Sequence, residues 1–362
     1  MMDGIINHVI TFPFLAAFLT SAIITPLFIY LFKKFGLVDD PKRKHPGIIH
    51  KKPIPRGGGI PLFTGALVAG ILFLPINATI GAVFLAAFIA LIVGVLDDKY
   101  DISPYLRFGI NIVCAVIVVA AGISVNFITN PAGGILYLNE FYLPLNLIGL
   151  NGAIFLSDIV AILWIVWVMN MLNWSKGVDG QMPGIVAISA FFIGLLSLRF
   201  GTLDAATQAS STLSFIIMGA SVGFLIYNFH PAKIFPGYGA TAIYLLLAVA
   251  SILSSAKLAT AILVMGVPLA DGAFTITRRI LSGHSPFWHD RKHLHHLLLE
   301  HGFSQRQVAL FYWIISAIFG SLSLILSSRG KLFAIIMLVI IVGGTLLFLN
   351  YFLRRKNGQT II

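Results

Sequence analysis

Apolar residues run along this chain in blocks of about 17–25 positions, separated by short polar loops. That is the length a helix needs to cross ~30 Å of hydrocarbon. The blocks fall at about 9–32, 60–76, 78–96, 105–127, 158–174, 183–199, 212–229, 240–255, 258–280, 307–327 and 332–353. They predict an all-α, polytopic membrane protein of about 10–11 transmembrane helices, with its N-terminus outside. The eighth block is the shortest, and the ninth reads as one helix with Asp271 inside it. The first block is too long for a secretory signal. No small-residue cleavage pattern follows it before Lys33 and Lys34, so it reads as a retained helix. There is no repeat, coiled coil or linker, and residues 1–362 read as a single membrane domain without a separate soluble one.

Composition strengthens this reading. Of 362 residues, 58% are hydrophobic and 10% charged, against about 25% charged in a soluble domain. The net charge of +11 does not indicate nucleic acid, because the basic residues sit in short loops between apolar blocks. With the N-terminus outside, 20 of the 24 Lys and Arg fall on the cytoplasmic side; Arg199, Lys257, Arg329 and Lys331 lie opposite. The lone Cys114 lies within an apolar block and reads as a small buried hydrophobe.

The charge split also gathers the reactive groups on the cytoplasmic face. The loop DDPKRKHPGIIHKKPIPRGGGI joins a basic run to Gly57–Gly59, where backbone N–H groups can meet phosphate. In GVLDDKYDISPYLRF, Asp97 and Asp98 end an apolar helix, where negative charge is disfavoured. A divalent cation, or Lys99 and Arg107, would relieve them. In NMLNWSKGVDGQMPG, Asn170 and Asn173 share a helix face, and Asp179 sits in a Gly-rich turn. The asparagines need partners, either a neighbouring helix or a polar ligand. Finally, GHSPFWHDRKHLHHLLLEH holds six histidines within 18 residues, interleaved with Asp290, Arg291 and Lys292. Interleaved cations favour anion binding over a structural zinc site, which would show Cys ligands or an HExxH pattern.

The pieces HKKPIPRGGG, GVLDDKYDISP, NMLNW…GVDG, PAKIF and DRKHLHH, in that order, resemble the polyprenyl-phosphate N-acetylhexosamine-1-phosphate transferases (glycosyltransferase family 4). The resemblance runs from about residue 33 to 310. It implies transfer of a sugar 1-phosphate from a UDP-N-acetylhexosamine to undecaprenyl or another polyprenyl phosphate, releasing UMP, for cell-envelope polysaccharide or peptidoglycan precursors. It implies Asp97, Asp98 and Asp179 as catalytic residues. Lys99, Arg107, Asn173, Lys176, His293, His295 and His296 would bind substrate. Mg²⁺ would be held by Asp98 and Asp179, neutralising the diphosphate. The implied setting is the inner membrane, in contact with lipid, with a homodimer admitted. Two segments depart from the family pattern: Lys176 and Tyr238 stand where it usually has acids, and Ala240 and Thr241, beside Tyr238, replace Gly and Ser. Such a change could expel Mg²⁺. Then Lys176 replaces the metal's charge, or Asp97, Asp98 and Asp179 hold the ion alone, or the protein is a non-catalytic homologue that binds polyprenyl lipid or a partner.

Overall fold

The structure, a computed structural model, describes residues 7–39, 52–130, 133–147, 150–199, 204–253, 258–288 and 290–356. Most of the first polar loop, including Asp40, Lys42, Arg43, Lys44 and Lys51, lies outside the described residues, as do Lys257 and His289.

Among the described residues there are thirteen α-helices. They are α1 (Phe12–Lys34), α2 (Gly59–Phe73), α3 (Ala78–Tyr100), α4 (Pro104–Ala120), α5 (Leu156–Trp174), α6 (Gln181–Leu198), α7 (Ala205–Asn228), α8 (Thr241–Leu253), α9 (Leu258–Val264), α10 (Gly266–Leu281), α11 (Leu294–Glu300), α12 (Gln305–Ile325) and α13 (Ser328–Lys356). Every apolar block of the sequence falls on one or two of them. Seven spans are long and apolar enough to cross a bilayer unaided, and three shorter apolar helices add to them. The protein is a multi-pass, all-α membrane protein.

Two predicted blocks differ from what is built. The block at 258–280 is broken: α9 and α10 meet at 83° around Met265. Pro268 lies in the first turn of α10. It has no N–H to give the carbonyl of Val264, and its ring excludes that carbonyl. The block at 105–127 ends as helix at Ala120, because Gly122 turns the chain at φ 92°. Beyond it the chain forms small antiparallel hairpins. Earlier, β1 (Val38–Asp39) pairs with β2 (Ile54–Pro55); here β3 (Phe127–Thr129) pairs with β4 (Ile135–Tyr137), and β5 (Tyr142–Leu147) with β6 (Leu150–Phe155).

The bundle is built around α8. Every residue from Thr241 to Ile252 is buried, packed among α2, α3, α5, α6 and α7. A helix that is apolar on all sides belongs at such a centre. Trp164 of α5 donates from Nε1 to Ser251 Oγ of α8 at 2.9 Å. At the periphery, α1 packs on α7 through Gly219 and Gly223, where an added Cβ would lie 2.2 Å from the Phe14 carbonyl oxygen and 2.5 Å from that of Phe18. Small residues four apart allow this backbone approach between membrane helices. The outward faces carry Leu19, Ile23 and Leu27 on α1 and Ile314, Ile318 and Ile325 on α12, all exposed. In lipid these faces are solvated.

Candidate active site

Backbone contact between glycines brings three elements together at one end of the bundle. A Cβ on Gly59 would lie 2.2 Å from the Gly239 carbonyl carbon, and one on Gly94 2.4 Å from Gly239 Cα. The start of α2, the body of α3 and the short 3₁₀ turn Tyr238–Ala240 are thereby pressed into one unit. Asp98, near the end of α3, accepts from the Tyr238 N–H at 2.8 Å and pairs with Arg56 Nε at 2.8 Å, both on Oδ1. Gly237 makes this possible: its φ is 68°, and a Cβ there would lie 2.0 Å from Asp98 Oδ2. Beyond Asp101, which ends α3 in the left-handed region, Pro104 starts α4. Arg107 on its first turn then reaches back to Asp97 Oδ2 at 2.9 Å.

Tyr238 stands at the centre of this end. Its hydroxyl accepts from Asn111 Nδ2 at 3.2 Å. Arg107 lies over its ring at 4.8 Å and Lys176 at 5.5 Å, as cation–π contacts. Lys176 comes from the turn after α5. Among the described residues, no acid oxygen lies within ion-pair distance of its ammonium. Burial pushes it down to about 7, against the pull of Asp98. Within the same turn, Gly177 makes room for His295: a Cβ would lie 1.9 Å from its Nε2. Asn170 is engaged within its own helix, donating to the Val166 carbonyl at 2.7 Å, and the Asn173 Oδ1 is buried without a partner.

The histidine segment forms the opposite wall, pinned by Asp271 of α10. Asp271 accepts from the Leu294 N–H at 3.0 Å and meets His293 Nδ1 at 2.9 Å. Asp290 is held by Arg278 at 2.6 Å and Arg279 at 3.0 Å. Burial would raise the Asp290 carboxyl, but the two guanidiniums outweigh it and hold it below the usual range. Arg279 also lies over the Trp174 ring at 5.1 Å. His293 and His295 stack nearly parallel with ring centres 5.6 Å apart, and His296 lies 4.2 Å from His295. Burial lowers His295 well below the ordinary histidine range and His296 to about 4. Both rings are therefore neutral near pH 7, and each offers one N–H donor.

These walls enclose a cavity of about 230 Å³. Of the residues predicted from sequence, Arg107, Asn173, Lys176, His293, His295 and His296 line it together. Asp97 and Asp98 lie under Arg107 and Arg56, buried at 0% and 7% exposure. Asp179 is turned elsewhere: its Oδ2 accepts from the Ala232 N–H at 3.0 Å and meets His230 Nδ1 at 2.8 Å. Lys99 is exposed, over the ring of Tyr100 at 5.0 Å. Arg56 and Arg279 line the cavity, although from sequence they counted only as loop charge. Trp174 beside Arg279 gave no signal, since the two lie 105 positions apart in the chain. At the rim, Tyr105 and Phe108 of α4 pack edge-on against Phe287, with Trp288 exposed next to it.

The implied Mg²⁺ does not fit these residues. Among the described residues, no group of three or more His, Cys, Asp or Glu side chains gathers as a metal site. Asp97 and Asp98 are each paired with an arginine, and Asp179 with His230. A dication bound in this cavity would also meet the like charge of the Lys176 ammonium on its wall.

Fold and site together define a multi-pass helical membrane protein with a cationic, histidine-walled cavity sunk into one end of its bundle. The chain belongs to glycosyl transferase family 4, whose family model matches residues 80–255. A probable undecaprenyl-phosphate N-acetylglucosaminyl 1-phosphate transferase of Bacillus subtilis is 33% identical over 340 residues, covering 90% of this chain and 88% of its own. An undecaprenyl-phosphate alpha-N-acetylglucosaminyl 1-phosphate transferase of Haemophilus influenzae is 31% identical, covering 93% and 90%. A decaprenyl-phosphate N-acetylglucosaminephosphotransferase of Mycolicibacterium smegmatis is 30% identical, covering 89% and 83%.

Proposed function

We propose that this protein transfers a sugar 1-phosphate from a UDP-N-acetylhexosamine to a polyprenyl phosphate in the inner membrane, at its cytoplasmic face, releasing UMP. The observation that carries the reading is the cavity itself. It sets Arg56, Arg107, Lys176 and Arg279 around one space, with the neutral His295 and His296 and the Asn173 side chain on its walls. Arginine and lysine with neutral N–H donors suit a diphosphate. The names of the relatives supply the substrate class, and N-acetylglucosamine is the first sugar to try. An exposed aromatic and apolar rim of Tyr105, Leu106 and Trp288 suits a lipid acceptor. The loops that carry Arg56, Arg107, Lys176 and Arg279 belong to the strongly basic side of the charge split, which supports the cytoplasmic placement.

The chemistry asks little of the protein beyond position and charge. An oxygen of the polyprenyl phosphate attacks the donor's β-phosphorus. The bond from that phosphorus to the bridging oxygen breaks, and UMP leaves with the oxygen. The attacking phosphate is already an anion at neutral pH, so no group need remove a proton from it. Cations must offset the charge of two phosphates approaching each other. Arg107 and Lys176, both over Tyr238, face that need. A second reading, a non-catalytic homologue that binds polyprenyl lipid, draws on Lys176 and Tyr238 at positions where the family resemblance implies acids. One assay decides between them. Purified protein given undecaprenyl phosphate and a panel of UDP-N-acetylhexosamines is expected to release UMP. No release with any donor, with or without Mg²⁺, would refute the transferase reading.

A further inference from the structure

We propose that this protein binds the diphosphate of its donor on its own cations, with the Lys176 ammonium serving in place of a divalent metal ion, so that donor binding needs no metal. The inference rests on the donor being a UDP-sugar. Three observations support it, all within the cavity.

Asp39, Asp101 and Asp290 line the cavity; Asp290 is held by Arg278 and Arg279, Asp39 lies 3.8 Å from Arg56, and Asp97 and Asp98 lie beneath, each on an arginine. Arg107 holds Asp97 and Arg56 holds Asp98. A metal ion could recruit these carboxylates only by displacing a guanidinium that would remain beside it. Lys176 is placed differently. Arg56, Arg107 and Arg279 each have an acid within 3.0 Å, and Lys176 has none within ion-pair distance among the described residues. Its charge is buried in a wall of the cavity and open towards it, an arrangement that costs free energy until an anion arrives.

Tyr238 supplies the third observation. A phenol has no charge with which to hold a dication, and its hydroxyl is occupied by Asn111. Its ring instead carries two cations, Arg107 at 4.8 Å and Lys176 at 5.5 Å. Two like charges on one ring repel each other, and an anion between them turns that repulsion into attraction from both sides. Asn173, His293, His295 and His296 complete the polar lining around the two cations. Lysine at 176 and tyrosine at 238 are thus a matched pair, one supplying the charge and the other the surface that positions it.

The test uses the full-length protein in nanodiscs, stripped with EDTA and titrated calorimetrically with UDP-N-acetylglucosamine and with UDP. Binding is expected in EDTA, with a Kd unchanged by added Mg²⁺. Lys176→Gln is expected to weaken it by about 10–100-fold, and Lys176→Arg to recover most of the loss. Mn²⁺ followed by electron paramagnetic resonance is expected to stay free in the absence of nucleotide. Binding of neither probe in EDTA, binding that appears only with Mg²⁺, or a tight one-to-one Mn²⁺ site lost in Asp98→Asn would each overturn the proposal. If Lys176→Gln fails to fold, the EDTA and Mn²⁺ measurements on the unaltered protein decide. The two readings fail separately. Protein that binds UDP-N-acetylglucosamine in EDTA but releases no UMP loses the transferase function and keeps this inference. UMP release by protein whose donor binding appears only with Mg²⁺ does the reverse.

Discussion

Asp98 shows how much a single side chain is asked to do here. Buried at the end of α3, it accepts from Tyr238, pairs with Arg56 and lies against Gly237. Asp98→Asn keeps the shape and removes the charge that holds Arg56. UMP release is expected to fall about 10–100-fold, the scale of one charged hydrogen bond; an unchanged rate would show that Arg56 is positioned by other means. The histidine wall makes a pH prediction. His296 faces His293, His295, Arg291, Asp271 and Asp290, and burial holds its pKa at about 4. Unfolded, it titrates near 6.5. The unfolded chain therefore takes up a proton before the folded one does. The stability from this site is present above about pH 6.5 and lost as pH falls towards 4, on the order of 3 kcal/mol in all. Apparent Tm measured from pH 7.5 to 4.5 is expected to fall more steeply for the unaltered protein than for His296→Gln. Parallel slopes would show that His296 titrates alike in both states.

Between helices, stability rests on places where backbones nearly touch. Gly219 and Gly223 let α7 lie against the Phe14 and Phe18 carbonyls of α1. Gly219→Leu forces a side chain into that seam and is expected to lower the apparent Tm by several degrees, as overpacking by about 1–3 kcal/mol would. UMP release at low temperature should survive, because the Gly219 contact is with Phe14 and Ala17, neither of which lines the cavity; its loss would show that α1 and α7 support the cavity directly. These elements also show what the sequence made legible. Apolar length located every helix except the short α11, because membrane burial writes itself as long runs. It did not show the 83° break at Met265, because the apolar run continues past Gly266 and Pro268 as far as Ala270. Arg107, Asn173, Lys176 and the histidines were legible as polar residues at helix ends, with no apolar reason to be there. Arg107 was also legible as a partner for the paired acids, and it holds Asp97; the partners of Asp98 and Asp179 were not. Arg56, Tyr238 and His230 are brought to them by glycine contacts and turns 42 to 140 positions away.

For the whole molecule, the question is which way it faces, since a donor made in the cytoplasm reaches only a cavity open to the cytoplasm. The basic loops predict that orientation, and it can be measured independently of activity. Cys114 is the chain's one cysteine and is fully buried, so introduced cysteines report alone. Lys99 is exposed at the cavity end of α3. Tyr142 is exposed on the β5–β6 hairpin, where the chain has crossed to the opposite end through α4. A membrane-impermeant maleimide added to intact spheroplasts is expected to label Tyr142→Cys and to spare Lys99→Cys until the membrane is permeabilised. Inside-out vesicles should reverse the pattern. The converse result would place the cavity outside, where no UDP-sugar pool reaches it, and would remove the transferase reading together with the orientation. Labelling of both sites in intact spheroplasts would mean dual insertion, which a charge split of 20 among 24 basic residues disfavours. The expected pattern would join orientation to chemistry, because Arg56, Arg107, Lys176 and Arg279, four of the basic residues that predict the orientation, also line the cavity.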